Sequence, residues 1–68
     1  MSSTDPADSV RALLEGADAP LSGDHIAETL EQEHSRHEVE QALDFWRREH
    51  AAVHDHDGNW RWQGLPGE

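Results

Sequence analysis

The sequence predicts a small, mainly α-helical domain that ends in a β-hairpin. Three segments carry apolar residues at helical spacing, each has a helix-start signal, and Asp57-Gly58 separates two short β-prone runs. A chain of 68 residues forms one domain, and at this size folding hides only about 60% of the unfolded surface. We therefore expect a compact core without a buried catalytic cleft.

The first helix is predicted over residues 6–15. Asp5 can cap it, Pro6 fits its first turn, and Gly16 is a suitable stop. The apolar stripe consists of Val10, Leu13, Leu14 and Ala17. Residues 1–5 and 64–68 are small, polar or turn-like, so we expect flexible tails around a domain that spans residues 6–63.

A second, short helix is predicted over residues 23–32. Pro20 keeps Ala19 out of helical space, which makes residues 19–21 an extended connector. Ser22 or Asp24 can cap the helix that follows. Its apolar stripe consists of Ile26, Ala27 and Leu30, and its acidic side should face water.

The third helix has the clearest start signal. In Ser35-Arg36-His37-Glu38, the side chains of Ser35 and Glu38 can each bond the other's backbone amide, which makes a capping box. The stripe that should face the core is Val39, Ala42, Leu43, Trp46 and His50. The opposite face carries His37, Gln41, Asp44 and Arg48. Phe45 falls about 100° off the stripe, so it either packs on helix one or is an exposed anchor for a partner.

A hairpin is predicted after the third helix. Asp57-Gly58 favours the positive φ angles of a two-residue turn. On one face, that turn would pair Val53 with Trp62 and Asp55 with Trp60. On the other face it would place His54 and His56. We expect Trp46, Trp60 and Trp62 to pack in the core.

The charge balance is strongly acidic. Fifteen carboxylates outnumber five arginines, lysine is missing, and the formal net charge is −10. Such self-repulsion opposes folding in dilute buffer, but in molar salt charges are screened over about 3 Å. The composition resembles that of proteins from salt-in halophiles such as haloarchaea. An ordinary acidic protein from a GC-rich genome is the alternative.

The composition also argues against several classes of protein. Without cysteine there is neither a disulfide framework nor a thiolate zinc site. No stretch approaches the roughly 18 apolar residues that span a bilayer, so we expect a soluble, cytoplasmic protein that does not bind membranes. No phosphate-binding glycine loop is present, and Ser9, Ser22 and Ser35 fit helix starts or helix surface. We expect no enzymatic activity, no cofactor and no small-molecule substrate.

Histidines gather near the hairpin. His50, His54 and His56, with Asp55 and Asp57 nearby, contain the residue types that hold a divalent metal. In the predicted register, however, His50 faces the core while His54 and His56 share a strand face. Convergence on one ion is strained, so we favour a polar hairpin without a metal.

The order of elements resembles the winged helix family, a helix-turn-helix followed by a β-hairpin wing. The resemblance rests on Val39-x-x-Ala42-Leu43-x-x-Trp46, a break near His50, Ala52-Val53, and Asp57-Gly58 before Trp60-Arg61-Trp62. It covers about residues 6–63. The family implies that the third helix enters the DNA major groove while the wing contacts the backbone or minor groove. Where the family usually has glycine after this helix, the chain has His50.

The resemblance makes the third helix a candidate DNA-contacting helix. Gln, Arg and Asp can bond adenine, guanine and cytosine edges, and arginines can contact phosphate. The candidate DNA contacts are Arg36, His37, Gln41, Asp44, Arg47, Arg48 and Arg61. We therefore expect a small regulator that binds double-stranded DNA. The alternative is that this face is only the solvated side of an amphipathic helix.

A protein-interaction module is the second functional hypothesis. The acidic second helix or the Phe45 flank would then dock on another protein or on a second copy in a homodimer. The two hypotheses predict different surfaces. Binding to DNA requires Arg36, Arg48 and Arg61 on one side with the acids turned away. Binding to protein requires acids around the third helix and an apolar patch that remains exposed.

Overall fold

Three helices and a three-stranded antiparallel sheet make up the fold. It is described here by a computed structural model for residues 5–64. The elements are α1 (Pro6–Glu15), β1 (Leu21–Ser22), α2 (Gly23–Leu30), α3 (Arg36–Arg48), β2 (Ala52–His54) and β3 (Asn59–Trp62). Three helices with a small β component are confirmed. The third strand, β1, was not predicted: its residues pair with β3, so the sheet order is β1-β3-β2. The predicted tails lie almost wholly outside the described residues.

The helix starts follow the local cap signals. α1 runs over the predicted residues with Pro6 in its first turn, but the side chain of Asp5 at the N-cap makes no capping hydrogen bond. At α2, the Ser22 hydroxyl accepts a hydrogen bond from the backbone N–H of His25 over 3.1 Å. At α3, the Ser35 hydroxyl accepts from the N–H of Glu38 (3.2 Å), and the Glu38 carboxylate accepts from the N–H of Ser35 (2.9 Å). The predicted capping box is therefore confirmed.

The α2 helix ends two residues earlier than predicted. The backbone N–H groups of Glu33 and His34 both turn back to the Leu30 carbonyl oxygen, at 3.0 and 2.8 Å. These bonds close the helix at Leu30 and start the tight link to α3.

Within residues 5–64, no helix has both the length and the apolar character that crossing a bilayer requires.

The C-terminal end of α3 corrects the placement of His50. The N–H of His50 bonds the Arg47 carbonyl (3.1 Å), and the N–H of Ala51 bonds the Trp46 carbonyl (3.0 Å). This is a Schellman ending, which requires a left-handed residue after the helix. His50 takes that conformation, with φ 61°, and its side chain is exposed. Its predicted place in the core stripe was wrong, because the helix stops before the 3.6-residue periodicity reaches it.

The core lies between the three helices and one face of the sheet. Val10, Ile26 and Val39 are fully buried, one from each helix. Around them pack Leu14, Ala27, Leu30, Ala42, Leu43, Trp46, Ala51, Ala52 and Trp60, with Trp62 partly buried at the rim. The core placement of the tryptophans is confirmed. The indole N–H of Trp46 donates to the Ala7 carbonyl over 2.7 Å, which satisfies its polar atom.

One buried contact in the core is polar. Ser9 Oγ and His34 Nε2 lie 3.0 Å apart in a hydrogen bond, and each residue is only 8% exposed. The sequence suggested that Ser9 lies at a helix start or on the helix surface, and this prediction was wrong because its side chain is buried. The contact ties α1 to the link between α2 and α3, across 25 positions of sequence.

The hairpin forms in a register shifted by one residue from the prediction. β2 pairs Ala52 with Trp62, Val53 with Arg61 and His54 with Trp60. The loop has three residues, because Gly58 takes a positive φ of 83° and its N–H bonds the Asp55 carbonyl. The Asp55 carboxylate also accepts from the N–H groups of Asp57 and Asn59, both at 2.9 Å. A type I turn followed by a left-handed glycine gives this loop.

Candidate interaction surface

The outer face of α3 carries most of the predicted contact residues. We use this name for the exposed side of the helix opposite Val39 and Leu43. Six of the seven predicted DNA contacts belong to α3: Arg36, His37, Gln41, Asp44, Arg47 and Arg48. All are exposed except Asp44, which is half-buried. The seventh, Arg61, is exposed on β3 opposite Val53.

Polar groups on and beside the outer face bond one another. His37 Nε2 and Gln41 Nε2 are 3.0 Å apart, and Arg48 Nη2 is 2.8 Å from Asp44 Oδ2. These are i,i+4 pairs, which helix geometry brings together. Arg36 Nη1 donates to Asp24 Oδ1 over 2.9 Å, and this bond raises the pKa of the guanidinium. The positive charges of Arg36 and Arg48 are thus matched by carboxylates of the same chain.

The arginines are divided between separate places on the surface. Arg36 and Arg47 border a cavity of about 330 Å³ between α3 and the hairpin. Arg61 borders a different cavity, beside α1. Among residues 5–64, neither Arg47 nor Arg61 has an ion-pair partner within 4.0 Å. Arg36 and Arg61 thus border different cavities, and Arg48 borders neither of them.

The cavity between α3 and the hairpin mixes apolar and charged walls. Leu43 and Trp60 supply apolar surface, and the acids on its rim are Asp24, Glu40 and Asp44. His54 also borders it and stacks on Trp60, with ring centroids 4.5 Å apart and planes 13° from parallel. Acids thus alternate with arginines along this side of α3, and no single charge sign dominates the cavity.

Phe45 is the large hydrophobic side chain that the described residues leave exposed. It is 47% exposed, and its ring meets the edge of Trp46 with centroids 4.9 Å apart. Burying this ring against a partner would remove apolar surface from water at about 25 cal/mol per Å². Of the two predicted roles for Phe45, exposure fits the anchor better than complete packing on α1.

A larger cavity, of about 550 Å³, lies between α1, the α1–β1 connector and β3. Its walls are Arg11, Leu14, Glu15, residues 17–20 and residues 60–62. Arg11 is held there by an ion pair with Glu15, and its guanidinium lies over Trp62, 5.3 Å from the ring centroid. Sequence reasoning missed this place. The spacing of Arg11 and Glu15 by four residues was the available signal.

The three histidines at and near the hairpin occupy different positions and make different contacts. His50 is exposed at the end of α3, His54 stacks on Trp60, and His56 is in the loop. Among residues 5–64 no three His, Asp or Glu side chains come together in a way that could hold a metal ion. The geometry gives these histidines no shared site.

Comparison of the chain with protein-family models, with curated proteins and with solved structures gives no match in any of the three.

Proposed function

We propose that this chain is a winged helix domain that serves as a protein-interaction module, with Phe45 as the anchor of its docking surface. The element order supports the winged helix assignment: three helices, then a hairpin whose second strand lies at the centre of the sheet. The observation that carries the function is the 47% exposure of the Phe45 ring on α3. Phenylalanine is among the aromatic residues that are enriched in protein–protein interfaces relative to the rest of the surface.

Charge favours a protein over DNA as the partner. The net charge is −10, and arginines on and near the outer face are largely paired with acids. Phosphate contacts by Arg36 or Arg48 would have to compete with Asp24 and Asp44. DNA affinity depends mainly on cations that neutralise phosphates, so each broken pair subtracts from binding.

The neighbours of Phe45 define the partner's chemistry. On a helix, its nearest exposed neighbours are at i±3 and i±4, namely Gln41, Arg48 and Glu49. Arg48 is already bonded to Asp44. We therefore expect a partner with an apolar pocket for the ring and a basic residue beside it, facing Glu49. Electrostatic steering toward an acidic chain would speed this encounter at low salt.

The test is affinity capture from lysate of the source cells at about 0.1 M and at molar salt. Wild type, Phe45→Ala and the control Gln32→Ala, an exposed residue after α2 and outside the docking surface, are compared, and circular dichroism establishes that each variant is folded. We expect one or more proteins to be retained by wild type and by Gln32→Ala but not by Phe45→Ala. The purified partner should then bind wild type at least about tenfold more tightly than it binds Phe45→Ala, which corresponds to 1.4 kcal/mol of binding free energy. Capture of the same proteins by wild type and by Phe45→Ala would refute the proposal.

DNA binding is the second candidate, favoured by the exposure of Arg47 and Arg48 in the last turn of α3. Its test is titration of fluorescent, mixed-sequence duplex DNA at the same two salt concentrations. Saturable binding that is lost in Arg48→Ala would establish a DNA-binding regulator. If the protein binds DNA at neither salt concentration, the interaction module remains the proposed function.

A further inference from the structure

The central strand, β3, is covered along only part of its length. β1 pairs Leu21 with Trp60 and Ser22 with Asn59, and it begins at Leu21. The next position of that antiparallel register would place residue 19 opposite Trp62, but residues 19 and 20 do not belong to the strand. In the part of the chain that the structure describes, no strand therefore pairs with the β1 side of β3 at Trp62. We call this position the open edge.

The backbone of Trp62 points toward the open edge. Along β3, alternate residues bond β2: the Asn59 carbonyl accepts from Asp55 N–H, and Gln63 N–H donates to the Ala51 carbonyl, both at 2.9 Å. Antiparallel pairing alternates, so Trp60 and Trp62 direct their N–H and C=O groups to the opposite side. Trp60 meets Leu21 there. On that side, Trp62 has no backbone hydrogen-bond partner among residues 5–64.

The cavity of about 550 Å³ lies at the same place. It is bordered by residues 17–20 on one side and residues 60–62 on the other. Leu14 and the Trp62 ring give it apolar wall, and Arg61 stands at its rim without an ion-pair partner in the described part of the chain. The backbone N–H and C=O groups of Trp62 that face the open edge thus lie beside a cavity that has space for an extended chain.

We propose that the open edge binds an extended peptide segment of a partner protein, which continues the row of β1 along β3. A peptide in the β conformation presents one N–H and one C=O to the neighbouring strand at every second residue, which matches what Trp62 offers. An inward side chain of the peptide would be apolar, against Leu14 and Trp62. A carboxylate on an adjacent residue would face Arg61.

The acidic residues that border the cavity limit the peptide to one acidic residue, the one that faces Arg61. Glu15 and Asp18 also border the cavity, and Glu15 is bonded to Arg11. A second carboxylate would meet these acids rather than a cation. The site lies beside α1, whereas Phe45 is on α3, so the peptide site goes beyond the docking surface proposed above and is independent of it.

The first measurement is amide hydrogen exchange by NMR on the free protein. Trp60 N–H, which faces Leu21, should be protected, and Trp62 N–H should exchange much faster. Equal protection of the two amides, independent of protein concentration, would show that the edge is already closed and would overturn the proposal. Protection of Trp62 that grows with protein concentration would assign the edge to a second copy, which also overturns it.

The second measurement is titration with a capped pentapeptide, acetyl-Val-Asp-Val-Ser-Val-amide. Binding should protect the Trp62 amide and saturate with a Kd below about 1 mM. The same peptide with its central residue N-methylated should lose most of this affinity, because it lacks the amide that pairs with the strand. Absence of any change at Trp62 up to about 1 mM, or equal binding of the N-methylated peptide, would overturn the proposal.

Variants separate this site from the rest of the surface. Arg61→Glu should weaken binding of the acidic peptide about threefold to tenfold, as expected for reversal of one exposed charge contact. Arg48→Glu makes the same charge change on α3 and should leave the affinity unchanged. Phe45→Ala should leave it unchanged as well, so failure of the docking surface and failure of the peptide site are distinguishable. Equal weakening by Arg61→Glu and Arg48→Glu would show only a net-charge effect and would contradict the assigned contact.

Discussion

The two faces of α3 differ in what holds their side chains in place. The inner face, formed by Val39, Ala42, Leu43 and Trp46, is buried against α1, α2 and the sheet. The outer face is exposed, and there His37 bonds Gln41 and Asp44 bonds Arg48. Apolar burial contributes about 25 cal/mol per Å², whereas an exposed i,i+4 ion pair contributes about 0.3–0.5 kcal/mol.

This difference separates stability from recognition on one helix. The inner face determines whether the domain folds, so changes there should unfold it. The outer face contributes little to the free energy of unfolding, so its residues can be replaced to test binding without losing the fold. Of the four predictions below, which run from the largest expected effect to the smallest, the first compares the two faces directly and the others test contacts that hold α3 in place.

Leu43→Ala should destabilise the domain by about 2–5 kcal/mol, because it leaves a cavity at a residue that is 3% exposed. Urea unfolding followed by circular dichroism measures the change. The control is Gln41→Ala on the outer face, which should stay within about 0.5 kcal/mol of wild type. If Leu43→Ala proves as mild as Gln41→Ala, the inner face is not the source of stability and the α3 register described here is wrong.

Ser9→Ala should cost about 1–3 kcal/mol, because it leaves the buried His34 ring without its hydrogen-bond partner. The same urea titration measures it. The double variant Ser9→Ala with His34→Leu should recover part of the loss, since neither polar group then remains buried. No recovery would mean that His34 has another role in the link between α2 and α3.

Glu38→Gln should reduce stability at neutral pH and matter less in acid. The backbone N–H of Ser35 holds the pKa of Glu38 below its ordinary value. A lowered folded-state pKa adds stability that is complete above the unfolded pKa of about 4.3 and is lost as the pH falls through the folded value. The unfolding midpoints of wild type and Glu38→Gln should therefore differ at pH 7 and converge as the pH falls below about 4. Glu40→Gln, outside the capping box, is the matched control, and an equal effect there would refute the capping explanation.

His50→Gly should stabilise the domain by about 1 kcal/mol. His50 has a φ of 61°, a left-handed conformation that costs a side-chain-bearing residue roughly 1–2 kcal/mol. Glycine removes that cost, and the gain is partly offset because glycine loses more backbone entropy on folding. The urea midpoint should rise with an unchanged slope. His50→Val, with a β-branched side chain, should lower it. A neutral result for both would show that the end of α3 is frayed rather than fixed by the Schellman bonds.

The predictable parts of the fold are those whose causes are local in sequence. The extent of α1 follows from Pro6 and Gly16, and the start of α3 follows from Ser35 and Glu38. The candidate face of α3 was also predictable, since a 3.6-residue period determines which residues share it. Its internal pairs at i,i+4 follow from the same period.

The parts that were missed depend on contacts far apart in sequence or on a choice between turn types. Strand β1 exists only because β3 pairs with it, and Ser9 is buried only because His34 is packed nearby. The hairpin register changed because Asp55 bonds two amides in the loop, which makes a three-residue loop better than two. The open edge follows from β1 and the register together, so sequence alone did not predict it.

The position of β3 in the chain has a consequence for synthesis on the ribosome. The strand at the centre of the sheet is made after the other described elements, and β1 and β2 do not pair with each other. Until residues 59–62 leave the exit tunnel, the two outer strands have nothing to join and the core lacks Trp60. Helices α1–α3 can form earlier, but the finished domain is assembled only after translation has passed the hairpin. During that interval the nascent chain exposes the apolar surface that a chaperone would recognise.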